Sequence, residues 1–141
     1  EIAPYAFYQA ASLQNIDLTS AENIGEGAFA TTLVSGDIVA NNLKTVGDFA
    51  FKDAYISSFT AQSLQTIGTG AFQNNLLTAF VFSDALKSIA PQAFLDNNSL
   101  TEFLRYQDGK TVNDGEINDY AVHCDAFRLP ATDLGACRNG H

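Results

Sequence analysis

The dipeptide Ala-Phe returns along this chain at an almost constant interval. It occurs as Ala6-Phe7, Ala28-Phe29, Ala50-Phe51, Ala71-Phe72, Ala93-Phe94 and Ala126-Phe127. The steps between these phenylalanines are 22, 22, 21, 22 and 33 residues. Five residues before each Phe stands a β-branched aliphatic: Ile2, Ile24, Val46, Ile67, Ile89 and Val122. A unit of this length cannot bury its own apolar face. Stacked copies bury one continuous core, so a fixed period of this size predicts a solenoid.

Further columns appear when the units are aligned. After each Phe comes a short polar stretch and then an alternating segment: Leu13-x-x-Ile16-x-Leu18, Ser35-x-x-Ile38-x-Ala40, Ile56-x-x-Phe59-x-Ala61, Leu77-x-x-Phe80-x-Phe82 and Leu100-x-x-Phe103. Alternation with period two is a strand signal. Leu43, Leu64 and Leu86 form another column, three residues before Val46, Ile67 and Ile89. One turn therefore reads as a strand such as 78–82, a reversal at Ser83-Asp84, a shorter extended piece with Leu86 and Ile89, and a helical turn holding Ala-Phe. The Ala is small where adjacent turns approach closely. Gly25, Gly47 and Gly68 read as points where the backbone bends out of the extended piece.

The pattern L-x-x-[I/F]-x-[I/A/F]-x-x-x-L-x-x-[I/V]-G-x-x-A-F, clearest at Leu64-Gln-Thr-Ile67-Gly68-Thr-Gly-Ala71-Phe72, resembles the BspA-like (Treponema-type) leucine-rich repeats. The resemblance covers residues 2 to about 106, with 122–127 as a degenerate last turn. It implies an α/β solenoid: a right-handed coil of about six turns of 21–22 residues, each a strand plus a short extended or helical piece. It also implies a secreted or cell-surface protein that binds other molecules without catalysis. The chain departs from the family pattern in lacking the Pro often found after the strand. It also has no Cys within the repeats.

Composition narrows the partners. Lys plus Arg is 7 against 16 Asp plus Glu, a net charge of -9. Before Glu102 the basic residues are Lys44, Lys52 and Lys87. Such a surface repels phosphate backbones, so neither nucleic acid nor an anionic membrane is expected. No apolar run approaches the roughly 20 residues that span a bilayer. The absence of Met predicts a processed mature chain or a fragment of a longer one.

No catalytic constellation is found. The histidines, His123 and His141, lie at the irregular end, and the carboxylates are scattered. No glycine-rich phosphate loop, H-E-x-x-H or G-x-S-x-G motif occurs. The reading is a non-enzyme without cofactor or metal. Its ligand-facing surface would be the outward columns of the strands: Asn15, Asp37, Ser58, Ala79, Glu102; then Asp17, Val39, Thr60, Val81, Leu104; then Thr19, Asn41, Gln62, Ser83, Tyr106. From these, Asp17, Asp37, Val39, Ser58, Thr60, Val81, Leu104 and Tyr106 are the candidate contacts for a protein or glycan. The competing reading is a solvated sheet face whose Thr and Val serve strand propensity.

Both ends are irregular. We divide the chain into a solenoid over 1–106 and an insertion plus degenerate repeat over 107–141 that caps it. Asp108-Gly109 and Asp114-Gly115 flank Lys-Thr-Val-Asn and predict a small hairpin. A calcium loop would need carboxylates at Lys110 and Val112. Cys124 and Cys137 flank the last repeat, and a disulfide between them would tie down the cap in an oxidising compartment. Zinc is the sharper reading, but C-x12-C-x3-H, with His123 and His141, matches no familiar finger. The sequon Asn97-Asn98-Ser99 reads as a surface turn open to N-glycosylation. At the other end Ile2 already stands in register, with Tyr5, Phe7 and Tyr8 behind it. Three explanations stand: a longer array, a first turn polar enough to face water, or an end that docks on another copy and builds a filament.

Overall fold

The structure is a computed structural model and describes residues 1–107 and 110–113. These residues make about four turns of a parallel β-solenoid. Four two-residue strands form one narrow sheet: β1 (Asn23–Ile24), β3 (Thr45–Val46), β5 (Thr66–Ile67) and β7 (Ser88–Ile89), in the order β1-β3-β5-β7. Ile2 extends it through a parallel bridge to Ile24. The wider sheet holds β2 (Ser35–Val39), β4 (Tyr55–Thr60), β6 (Ala79–Ser83), β8 (Glu102–Gln107) and β9 (Lys110–Asn113). Its first four strands are parallel, while β9 returns antiparallel on β8 with Gln107 opposite Lys110. That is the hairpin expected around Lys-Thr-Val-Asn. Cys124, Cys137, both histidines and the degenerate last repeat lie outside the described residues.

The helical piece is corrected. No helix occurs among the described residues, and the Ala-Phe segment is a corner of successive tight turns. Two residues per corner adopt left-handed backbone. They are Tyr5 and Gln9, Gly27 and Thr31, Phe49 and Asp53, Gly70 and Asn74, and Gln92 and Asp96. An α-helix would spend every N–H on its own carbonyls. Here alternate N–H groups do so, as Ala6 to Ala3 and Tyr8 to Tyr5, and the others reach the following turn. Tyr5, Phe7 and Gln9 donate to the carbonyls of Glu26, Ala28 and Ala30 at 2.8–2.9 Å. Gly27, Phe29 and Thr31 repeat this on Asp48, Ala50 and Lys52, and the later corners do the same. Stacking therefore satisfies groups that a helix would have consumed.

Inside the corners the rings of Phe7, Phe29, Phe51, Phe72 and Phe94 form one continuous stack. Successive centroids lie 5.2–5.5 Å apart with planes within 8° of parallel. Phe59, Phe80 and Phe103 on the wide sheet meet that stack edge-on, as Phe72 meets Phe59 at 4.8 Å and 65°. Such pairs add about 0.5–1.5 kcal/mol each beyond burial. The alanines before Phe29, Phe51, Phe72 and Phe94 are fully buried. Gly47 and Gly68 serve closeness rather than bending: neither has positive φ, but a Cβ would stand 2.7 Å from Glu26 N and 2.6 Å from Asp48 N respectively.

A buried polar ladder runs three residues after the ring. Asn75 Nδ2 donates to the carbonyls of Phe51 and Phe72, and its Oδ1 accepts from Ile56 N at 3.0 Å. Asn97 does the same for Phe72, Phe94 and Leu77. Thr32 holds Phe29 O at 2.8 Å and accepts from Val34 N. Ala54 occupies the same column and has nothing left to bond, since Thr32 and Asn75 already serve the carbonyls on either side. The turn lies at the surface as expected, with Asn98 and Ser99 exposed, but the Asn97 side chain is buried because the strand that follows needs its amide, and a glycan on Nδ2 would take one of its two donor hydrogens.

Candidate functional site

Outward residues of the wide sheet line up as the alternation requires. Val39, Thr60, Val81 and Leu104 are partners in register, as are Asp37, Ser58, Ala79 and Glu102. Tyr106 stands opposite Ser83. Val39 is 49% exposed, a large fraction for an aliphatic in a strand, while Thr60, Val81 and Leu104 are half-buried by their neighbours. The column is thus an apolar stripe flanked by polar ones.

The flanking polar groups largely serve the stack. Ser58 Oγ donates to Asp37 Oδ1 at 2.8 Å, Gln62 N to Asn41 Oδ1 at 3.3 Å, and Asn42 Nδ2 to Thr19 O at 2.7 Å. Ser83 Oγ donates to Gln62 O, and Arg105 pairs with Asp84 while covering the Phe82 ring. Asp17 does not join its column. Residues 13–18 form no strand, and the Asp17 carboxylate instead accepts the N–H and hydroxyl of Thr19 at 3.0 and 2.7 Å. Local side-chain bonds of this kind compete with strand pairing. The same two bonds hold the Asp17 carboxyl below its ordinary pKa. The sheet therefore begins at β2, whose ladder to β4 shifts register after Gly36 (φ 81°), where β4 carries the extra residue Ser57.

Sequence reasoning missed a second apolar feature. Leu33, Tyr55 and Leu76 stand just before or at the start of β2, β4 and β6 and are 39%, 48% and 58% exposed. Its signal was available, since all three stand four residues after the stacked Phe of their turn.

The candidate assembly residues meet at the first turn. Ile2 is half-buried on the core, whereas Tyr5, Phe7 and Tyr8 are exposed. Tyr5 and Tyr8 pack edge to face at 5.7 Å, and Phe7 ends the ring stack with one face open. The carbonyls of Pro4, Ala6 and Tyr8, which match the acceptors Glu26, Ala28 and Ala30 one turn later, have no partner among the described residues. The Glu26 carboxylate beside the Tyr5 hydroxyl raises the phenol pKa above its ordinary value, chiefly as a hydrogen-bond acceptor for the protonated form. The bond needs the proton. Its contribution is complete below the ordinary value of about 10 and is lost as pH rises through the raised one. In Glu26→Gln, NMR titration of the tyrosine rings should find Tyr5 ionising nearer the ordinary value; an unchanged titration would rule the bond out.

Among the described residues no group of three or more His, Cys, Asp or Glu is placed to hold a metal ion. No helix among them is long and apolar enough to cross a membrane. No curated protein and no solved structure matches the chain. The family model for the BspA type leucine-rich repeat region matches residues 1–121 in six copies.

Proposed function

This chain belongs to the BspA-type leucine-rich repeat family, and from that premise we propose that it is a non-catalytic, extracellular interaction module. It binds a protein partner through the wide-sheet side, with adhesion at a cell surface as the setting. What supports this is one observation above all: an in-register stripe, Val39-Thr60-Val81-Leu104, three of whose four side chains are apolar. The polar residues beside it are bonded within the stack, so the apolar stripe is where a partner gains most by excluding water. Asp37, Ser58 and Tyr106 form its rim. A disulfide between Cys124 and Cys137 suits the same compartment.

The test is selection of binders from a displayed library of extracellular domains. Binders are expected to lose at least about tenfold in affinity on Val81→Asp, the scale of one central interface contact. They should be indifferent to Phe7→Asp. Binders that ignore Val81→Asp would exclude the strand side.

A second reading is favoured by the first turn. Its open ring, exposed tyrosines and three carbonyls without a partner among the described residues offer the surface on which a further turn would sit. On this reading a second copy docks there, and the protein is the subunit of a filament. Electron microscopy and light scattering then show long particles that Phe7→Asp abolishes and Val81→Asp leaves intact. Discrete particles at all concentrations would end this reading.

A further inference from the structure

The corners carry side chains of very unequal size. Their first left-handed position reads Tyr5, Gly27, Phe49, Gly70 and Gln92 on successive turns. The Tyr5 ring lies over Gly27, where a Cβ would stand 2.5 Å from Tyr5 Cε1. Phe49 lies over Gly70 in the same way, at 2.7 Å. The second turn is reduced here to Gly27, Ala30 and Thr31, while the first and third turns stand out on either side. Between them is a cleft of about 300 Å³.

Its walls are two turns apart, about 9.6 Å on a parallel stack, which leaves a slot of about 6 Å between aromatic surfaces. One saturated six-membered ring fits that width with a face toward each wall. Tyr5 and Tyr8 form one wall and Phe49 the other. The rim is polar. Asp53 Oδ1 accepts from Asn74 Nδ2 at 2.8 Å, and the Tyr8 hydroxyl accepts from the Gln9 amide at 3.3 Å; the Lys52 ammonium lies over the Phe49 ring, 5.6 Å from its centroid, and swings to the edge when a ligand takes that face. Aromatic walls for C–H faces, with a carboxylate and an ammonium at the edge for paired hydroxyls, are the recognition chemistry of a sugar. An aromatic peptide side chain would fill the slot and leave Asp53 and Lys52 unused. The net charge of -9 disfavours anionic sugars.

We propose that this corner cleft binds a neutral pyranose between Tyr5/Tyr8 and Phe49, with Asp53 and Lys52 engaging its hydroxyls. The site is separate from the strand side and does not depend on that reading.

The experiment is amide NMR of the intact chain titrated with the methyl glycosides of glucose, galactose, mannose and N-acetylglucosamine, each to about 50 mM, a range that covers the weak affinity of a single ring. At least one should give saturable shifts centred on Gly27, Thr31 and Asp53. Phe49→Ala should weaken it at least about tenfold. Asp53→Asn, which keeps the side-chain shape and an acceptor for Asn74, gives an independent reading and should also weaken binding. Three results would overturn the proposal: no saturable shift with any glycoside, shifts confined to the wide sheet, or binding of free indole at the cleft without binding of any glycoside.

Discussion

Replacing Phe72 by alanine is expected to lower the free energy of unfolding by about 3–5 kcal/mol, the cost of emptying a closed aromatic site. Phe72 is fully buried and meets four rings: Phe51 and Phe94 along the stack, Phe59 and Phe80 edge-on. Each turn supports its neighbours, so a hole in the middle uncouples both sides. Urea denaturation should show a lower midpoint for Phe72→Ala. Phe7→Ala is the comparison, because Phe7 is 44% exposed and stacks on Phe29 alone. It should cost a small part of that amount. Equal costs at the two positions would mean that the ring stack does not carry the stability assigned to it.

Asn75→Ala is expected to cost about 2 kcal/mol or more. The substitution strands the buried carbonyl of Phe51 and the N–H of Ile56, while Phe72 O keeps its bond from Asn97; each unsatisfied buried group costs about 1–3 kcal/mol. Asn42→Ala removes one exposed bond to Thr19 O and should change stability by about 0.5 kcal/mol or less. Thermal melts of the two variants decide the matter: similar shifts would show that the Asn75 column is incidental. Thr32→Ala offers a finer check, since Ala54→Asn beside it supplies an amide where the lost hydroxyl stood.

The period, the strand columns and their register were legible because each depends on apolar spacing alone. Val39, Thr60, Val81 and Leu104 could be aligned from sequence for that reason, as could the hairpin strand Lys110–Asn113. The corner was not legible as a single motif. Ala-Phe with a preceding aliphatic also suits a helical turn, and left-handed backbone at Tyr5, Phe49 or Thr31 contradicts the ordinary preference for glycine. The clue lay across turns, in a column where glycine alternates with an aromatic and another of Gln9, Thr31, Asp53, Asn74 and Asp96. The burial of Asn97 was missed similarly. Read alone it is a sequon; read beside Asn75 and Thr32 it is a rung. Asp17 left its column because Thr19, two residues on, offers its carboxylate two bonds at once.

The corner bonds also give the coil a direction. Every stacking N–H of a corner points to the turn that follows, so the first turn presents acceptors to anything above it. Two copies brought together first turn to first turn would oppose carbonyl to carbonyl. A two-fold dimer through this face is therefore disfavoured by its own backbone. Any assembly through it is heterologous and polar, every subunit facing the same way, and adds new material at chemically distinct ends.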